Sequence, residues 1–157
     1  SYLEQRRRAK LSRRAESQKL SVEDRQERIG ERERFLPSND FEVVLCLERS
    51  NRQGADPEIL VEDYDPESEV DALVRQGDAI YASSIHHRLT DHFEEDKPLE
   101  TVDKIVCWSY GDRDLLSELE RHGYHGGEVS FDLDTGRLTY ENGHRKNIHL
   151  VRVRDRL

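Results

Sequence analysis

Apolar positions are sparse over residues 2–35 and dense thereafter, so the chain divides near Pro37. In the first stretch a thin apolar stripe of Leu3, Leu11, Ala15, Val22 and Ile29 runs through Arg, Glu and Gln, with no Pro and one glycine, Gly30. That composition predicts helix. Val22 and Ile29 continue a seven-residue step from Ala15, but Gln18 and Arg25 hold the alternate seam positions, too polar to specify a coiled coil. Ser21-Val22-Glu23-Asp24 reads as a capping box, in which Ser21 accepts an early helix N–H. The arm is therefore one rod or two shorter helices, and Pro37 ends it.

From Ser38, expected to cap the next element, the pattern becomes that of a packed domain. Residues 39–48 suit a buried strand through Val43, Val44, Leu45, Cys46 and Leu47. Asp40 and Glu42 in a first helical turn favour helix, because acid there complements the helix dipole. Ile59-Leu60-Val61 predicts a short strand. Asp65-Pro66 opens either a helix through Arg75 or a turn into a strand around Val70–Val74, closed by Gly77 in both readings. Ile80 and Tyr81 belong to a strand. Ile85, Leu89 and Phe93 recur at four-residue steps and mark a helix face. Val102–Trp108 is the clearest strand. Asp112 caps a helix bearing Leu115, Leu116 and Leu119, stopped by Gly123. The chain closes as a β-meander of Glu128–Leu133, Arg137–Tyr140 and Ile148–Val153, its turns marked by Asp134-Thr135-Gly136 and Glu141-Asn142-Gly143. The fold class expected is α/β (α+β), a mixed sheet flanked by helices, with an arm over 1–36 and a domain over 37–157.

Charge sharpens the division. The chain of 157 residues is 38% charged, with a formal net charge of −9. Residues 1–35 hold 11 Lys/Arg against 7 Asp/Glu, and the remainder 14 against 27. A positive arm on an acidic body implies an anionic partner for the arm, or docking of the arm on the body. Cys46 and Cys107 both stand in apolar runs, which predicts buried reduced thiols, no disulfide framework and a cytoplasmic setting. No run approaches the length of a membrane span and no signal peptide opens the sequence, so no membrane partner is expected. The lack of any Met suggests a piece of a larger protein.

Several patterns bear on chemistry. Arg6, Arg7, Arg8, Arg13 and Arg14, with Lys10, would present guanidinium forks along a helix edge, as phosphate recognition requires. The competing reading is a solvated helix face, since no aromatics are interleaved. His122-x-x-His125, and His86-His87 with His92, are candidate ligand sets without a nearby Cys, and surface or turn histidines are the expected reading. Asp134-Thr135-Gly136 occurs once, where paired aspartates would be needed for acid–base work, so it is read as a hairpin turn. Ser83 and Ser84 lack a nucleophile elbow. A divalent-metal nuclease needs carboxylates from a helix and a strand, then a Glu-x-Lys on the next strand.

Three stretches carry a family resemblance: Pro37-Ser38-Asn39-Asp40-Phe41-Glu42-Val43-Val44-Leu45, Val70-Asp71-Ala72-Leu73, and Pro98-Leu99-Glu100-Thr101-Val102-Asp103-Lys104-Ile105-Val106-Cys107-Trp108. Together they resemble the C-terminal region of large bacterial or archaeal ATPases of the gyrase and histidine-kinase type, over about half the chain. Such regions are similar to restriction-endonuclease-like folds. The resemblance implies that Glu42 matches the helix glutamate and Asp71 the strand aspartate. The Glu-x-Lys it implies near Asp78–Ser83 is missing. Glu95-Asp96-Lys97 has the letters but lies beside Pro98 in a polar loop.

The reading these features support is a non-catalytic interaction module of a larger ATP-dependent protein. It would contact nucleic acid or a protein partner through the arm, with no cofactor. The alternatives are a Mg²⁺-dependent nuclease using Glu42, Asp71, Glu95 and Lys97, and a homo-oligomerisation domain driven by residues 2–35.

Overall fold

The computed structural model describes residues 36–157. The expectations for the arm, including Arg6, Arg7, Arg8, Arg13 and Arg14, lie outside the described residues.

Acid in the first turn and Arg49 and Arg52 in the last complement the dipole of helix α1 (Asp40–Arg52), so residues 39–48 resolve as helix. Its N-cap is Asn39, whose side-chain oxygen accepts the Glu42 N–H at 2.9 Å. The sequence pointed to Ser38 for that role. Asn39 is the last extended residue before the helix and its short amide reaches the third helical N–H, so Ser38 instead donates to the Glu42 carboxylate at 3.2 Å.

Seven strands follow: β1 (Leu60–Tyr64), β2 (Ala72–Gln76), β3 (Ala79–Arg88), β4 (Lys104–Ser109), β5 (Glu128–Asp132), β6 (Arg137–Glu141) and β7 (Arg145–Arg152). Helix α2 (Leu89–Glu94) links β3 to β4, and α3 (Arg113–His122) precedes β5. The strands form one sheet in the order β1-β2-β3-β4-β7-β6-β5. β3, β4 and β7 are parallel at its centre, and the outer pairs are antiparallel. The architecture is the mixed α/β sheet with flanking helices that the sequence predicts, ending in the β5–β6–β7 meander.

Two expectations need correction. The helix offered for Asp65–Arg75 is not formed: a turn in which Ser68 N–H reaches the Asp65 carbonyl leads into β2. Ile85 does not lie on a helix face. It belongs to β3, whose residues 83–88 pair with β4 in parallel, and that pairing outweighs the local four-residue periodicity. Only Leu89 and Phe93 of that pattern lie on α2.

Alternation along the central strands builds two cores. Val106 of β4 and Val151 of β7 face α1, packing with Val43, Leu47, Tyr64, Val74 and Ile85. Ile105, Cys107, Ile148 and Leu150 pack on the other side with Leu89, Phe93, Tyr110, Leu116 and Tyr140. Both cysteines are buried and form no disulfide with each other. Asn51 locks α1 to the incoming chain by accepting the Ile59 N–H at 3.1 Å and donating to the Ile59 carbonyl at 2.7 Å. Arg156, in the closing 3₁₀ turn (Val153–Arg156), donates to Ser50 Oγ at 3.1 Å and Asn51 Oδ1 at 3.0 Å. Among the described residues no helix is long and apolar enough to cross a membrane.

Candidate functional site

The site arises from a mismatch in strand length. β2 begins at Ala72, opposite Ser83, whereas β3 runs on to Arg88. Beyond Ser83 the β3 amides that point towards β2 have no strand to receive them, and a buried unsatisfied N–H is costly. Two carboxylates substitute for the missing strand. Asp71 Oδ1 accepts the Ile85 N–H at 3.2 Å, and Asp40 Oδ1, from the first turn of α1, accepts the His87 N–H at 2.7 Å. His87 itself is held by the Pro37 carbonyl, 3.2 Å from its Nε2.

Between these amides, the His86 side chain is buried against α2. Its Nε2 lies 3.0 Å from His92 Nδ1, and His92 Nε2 lies 2.9 Å from the Pro98 carbonyl. The carbonyl only accepts, so His92 Nε2 carries the hydrogen. Burial, then the neighbouring His86, pushes the His92 pKa down to about 3, so that ring is neutral and its Nδ1 is a lone pair. His86 Nε2–H must therefore donate to it. Nδ1 of His86 is left directed at Glu95, 3.2 Å from Oε2, and it has no hydrogen-bond partner. One carboxylate oxygen each from Asp40 and Glu95, with a ring nitrogen of His86, lie within 4.8 Å of one another.

The electrostatics follow from depth. Asp71 is 2% exposed, and burial raises its pKa to about 6 despite the opposing charges of His86 and Lys97. Glu95, half exposed at the C-cap of α2, is held below the usual carboxylate range by its contact with His86, which outweighs its partial burial. Lys97 donates from Nζ to the carbonyls of Ser68 at 3.0 Å and Pro66 at 3.3 Å, tying the loop before β2 to the segment after α2.

Of the residues proposed for a nuclease, Asp71, Glu95 and Lys97 are brought into this one cluster, where Lys97 favours the ionised form of both acids. Glu42 has a different task. It is buried at the start of α1, accepting from Ser38 and from Asn39 Nδ2 at 2.8 Å. β3 carries no Glu-x-Lys, and the residues beside Asp71 are Ser84, Ile85 and His86. The surface reading of His86 and His92 is corrected, since they are 1% and 0% exposed, because the crossover α2 closes over the end of β3. His122 and His125 are exposed, at the end of α3 and in the turn after it. Asp134-Thr135-Gly136 is the β5–β6 turn. Sequence reasoning misses Asp40 as a member of the site, because its position suggests only a dipole partner. The Asp40–His87 hydrogen bond joins residues 47 positions apart, and no local pattern announces it.

A buried lysine lies elsewhere in the sheet. Lys104 of β4 donates to Gln76 Oε1 at 2.8 Å and His149 Nδ1 at 2.9 Å, with its Nζ 4.6 Å from the Tyr81 ring centroid. Burial pulls its pKa below the usual lysine value. With all of these partners in place, it serves the packing of β3, β4 and β7.

Compared with known proteins, the chain matches no family model, no curated protein and no solved structure.

Proposed function

We propose that the protein is a non-catalytic interaction module of a larger ATP-dependent assembly, with an endonuclease-like α/β body and a basic arm that contacts nucleic acid. The observation carrying this reading is the engagement of Asp71 and Asp40 with the amides of Ile85 and His87. Near Asp78–Ser83, where the resemblance wants a strand Glu-x-Lys, the chain has neither residue, and the two aspartates complete a sheet edge. The element order α1-β1-β2-β3-α2-β4, with Asp71 leading into β2, supports the endonuclease-like relationship. The acidic body argues for contact local to the arm, whose clustered arginines suit phosphate.

The test is binding of labelled double-stranded DNA by the full chain at two salt concentrations with Mg²⁺ present, set beside a variant in which Arg6, Arg7, Arg8, Arg13 and Arg14 are Gln. Salt-sensitive binding lost in the variant, without cleavage, is the expected result. Equal binding by both proteins, or none by either, would remove the nucleic-acid role.

A second reading, the Mg²⁺-dependent nuclease, is favoured by the gathering of Asp71, Glu95 and Lys97 in one cluster. Its signature in the same assay is Mg²⁺-dependent cleavage abolished by Asp71→Ala.

A further inference from the structure

We infer that Asp40, His86 and Glu95 form a binding site for a divalent transition-metal ion of the zinc or manganese class. Three elements converge to make it: the first turn of α1, the end of β3 and the C-cap of α2. Their donor atoms lie within 4.8 Å of one another. With bonds of about 2.1 Å, tetrahedral ligand atoms stand about 3.4 Å apart, so His86 Nδ1 and Glu95 Oε2, at 3.2 Å, already have ligand spacing, and a pair at the 4.8 Å limit must close by about 1.4 Å.

The independent sign of a ligand is His86 itself. Its side chain is 1% exposed, and Nδ1 has no hydrogen-bond partner although it points at the carboxylates. The relay behind it explains why. Pro98 fixes the hydrogen on His92 Nε2, and the lone pair of His92 Nδ1 takes the hydrogen of His86 Nε2. With Nε2 committed to His92, Nδ1 is the ring nitrogen left to face the carboxylates. A cation at Nδ1 would join this buried nitrogen to the carboxylates, and there a metal ion competes with a proton. Ligating histidines characteristically donate their other ring N–H to a fixed acceptor, and His92 plays that part here.

The donor set selects the ion class. One imidazole nitrogen with two carboxylates suits zinc or manganese, whereas Mg²⁺ and Ca²⁺ prefer oxygen throughout. Three protein ligands with Glu95 half exposed leave at least one coordination position open to solvent. The charge also fits, since Asp71 adds a third carboxylate nearby. The inference stands apart from the nucleic-acid proposal, and either can fail without the other.

Calorimetric titration of the chelator-treated full chain with Zn²⁺, and separately with Mg²⁺, tests the site. One equivalent of Zn²⁺ should bind at least tenfold more tightly than Mg²⁺, and the imidazole ¹⁵N resonance of His86 Nδ1 should shift on addition. Glu95→Gln, at a half-exposed position, and Asp40→Asn, which retains an oxygen for the His87 amide, should each weaken binding tenfold or more with unchanged circular dichroism. A His122→Gln/His125→Gln variant should bind as wild type does. Absence of Zn²⁺ binding, or affinity unaltered in both Glu95→Gln and Asp40→Asn, would overturn the assignment.

Discussion

Asp71 Oδ1 accepts the Ile85 amide at 3.2 Å, so a carboxylate continues the ladder where β2 has not yet begun. The same burial that makes this bond useful makes the charge expensive. The Asp71 pKa is raised from 3.8 to about 6, which means the folded state binds the proton more tightly than the unfolded chain. Its contribution is full below pH 3.8 and is lost as pH rises through 6. The loss amounts to about 3 kcal/mol at neutral pH. Asp71→Asn keeps an acceptor for Ile85 without the charge. It should be more stable than wild type at pH 7 by up to that amount, with the advantage gone near pH 3.5. Urea denaturation across this range checks it, and parallel curves for the two proteins would refute the assignment.

His92 has the opposite sign. Its pKa falls from 6.5 to about 3, so the folded state resists protonation. The stability it confers is present above pH 6.5 and is lost as pH falls towards 3. His92→Phe should flatten that part of the acid limb in the same denaturation series. It should also cost about 1–3 kcal/mol at pH 7, since the Pro98 carbonyl and His86 Nε2 lose their partner.

Asn51 stands at the junction of α1, Ile59 and the C-terminal turn, with bonds to both backbone groups of Ile59 and to Arg156. Replacing it with Ala leaves two buried or half-buried backbone groups and a guanidinium short of partners. A loss of about 2 kcal/mol is expected from thermal or urea unfolding. A loss below about half a kcal/mol would show that water replaces the side chain freely.

Gly127 sits where a Cβ would lie 2.5 Å from the Tyr140 ring. That ring is buried, and its hydroxyl donates to the Tyr124 carbonyl at 2.9 Å, so it has little room to retreat. Gly127→Ala should cost about 1–3 kcal/mol by overpacking, with Gly126→Ala as the comparison, because its Cβ would meet open space. Since Gly126 has φ 78°, that comparison carries backbone strain alone.

Neither thiol should react in the native protein. Cys107 is buried, and desolvation pushes its pKa up to about 12; Cys46 is 1% exposed, on the buried side of α1. Labelling by a chromogenic disulfide should proceed at the rate of unfolding and reach two thiols per chain in denaturant. Rapid labelling of either cysteine under native conditions would contradict their burial.

Much of the fold is legible in local chemistry. Asp112 and Gly123 bound α3, and Gly136 and Gly143 mark the turns of the meander, because capping and positive φ depend on near neighbours. Val102–Trp108 announces a central strand because such a run must be buried on both faces. The candidate site is legible only in part. The residue types of Asp71, Glu95 and Lys97 suggest metal chemistry, and His86 and His92 suggest ligands, yet nothing in their spacing brings them to Asp40.

Composition and contacts within a few residues are enough to establish most of the described elements, the reduced thiols and the charge difference between residues 1–35 and the remainder. The length of β3 relative to β2 emerges only when the sheet assembles. That mismatch leaves amides which Asp40 and Asp71 must satisfy, and it draws His86 beneath α2 with its Nδ1 turned to the carboxylates. Strand lengths and registers are set by long-range pairing and packing, and short-range preference does not encode them.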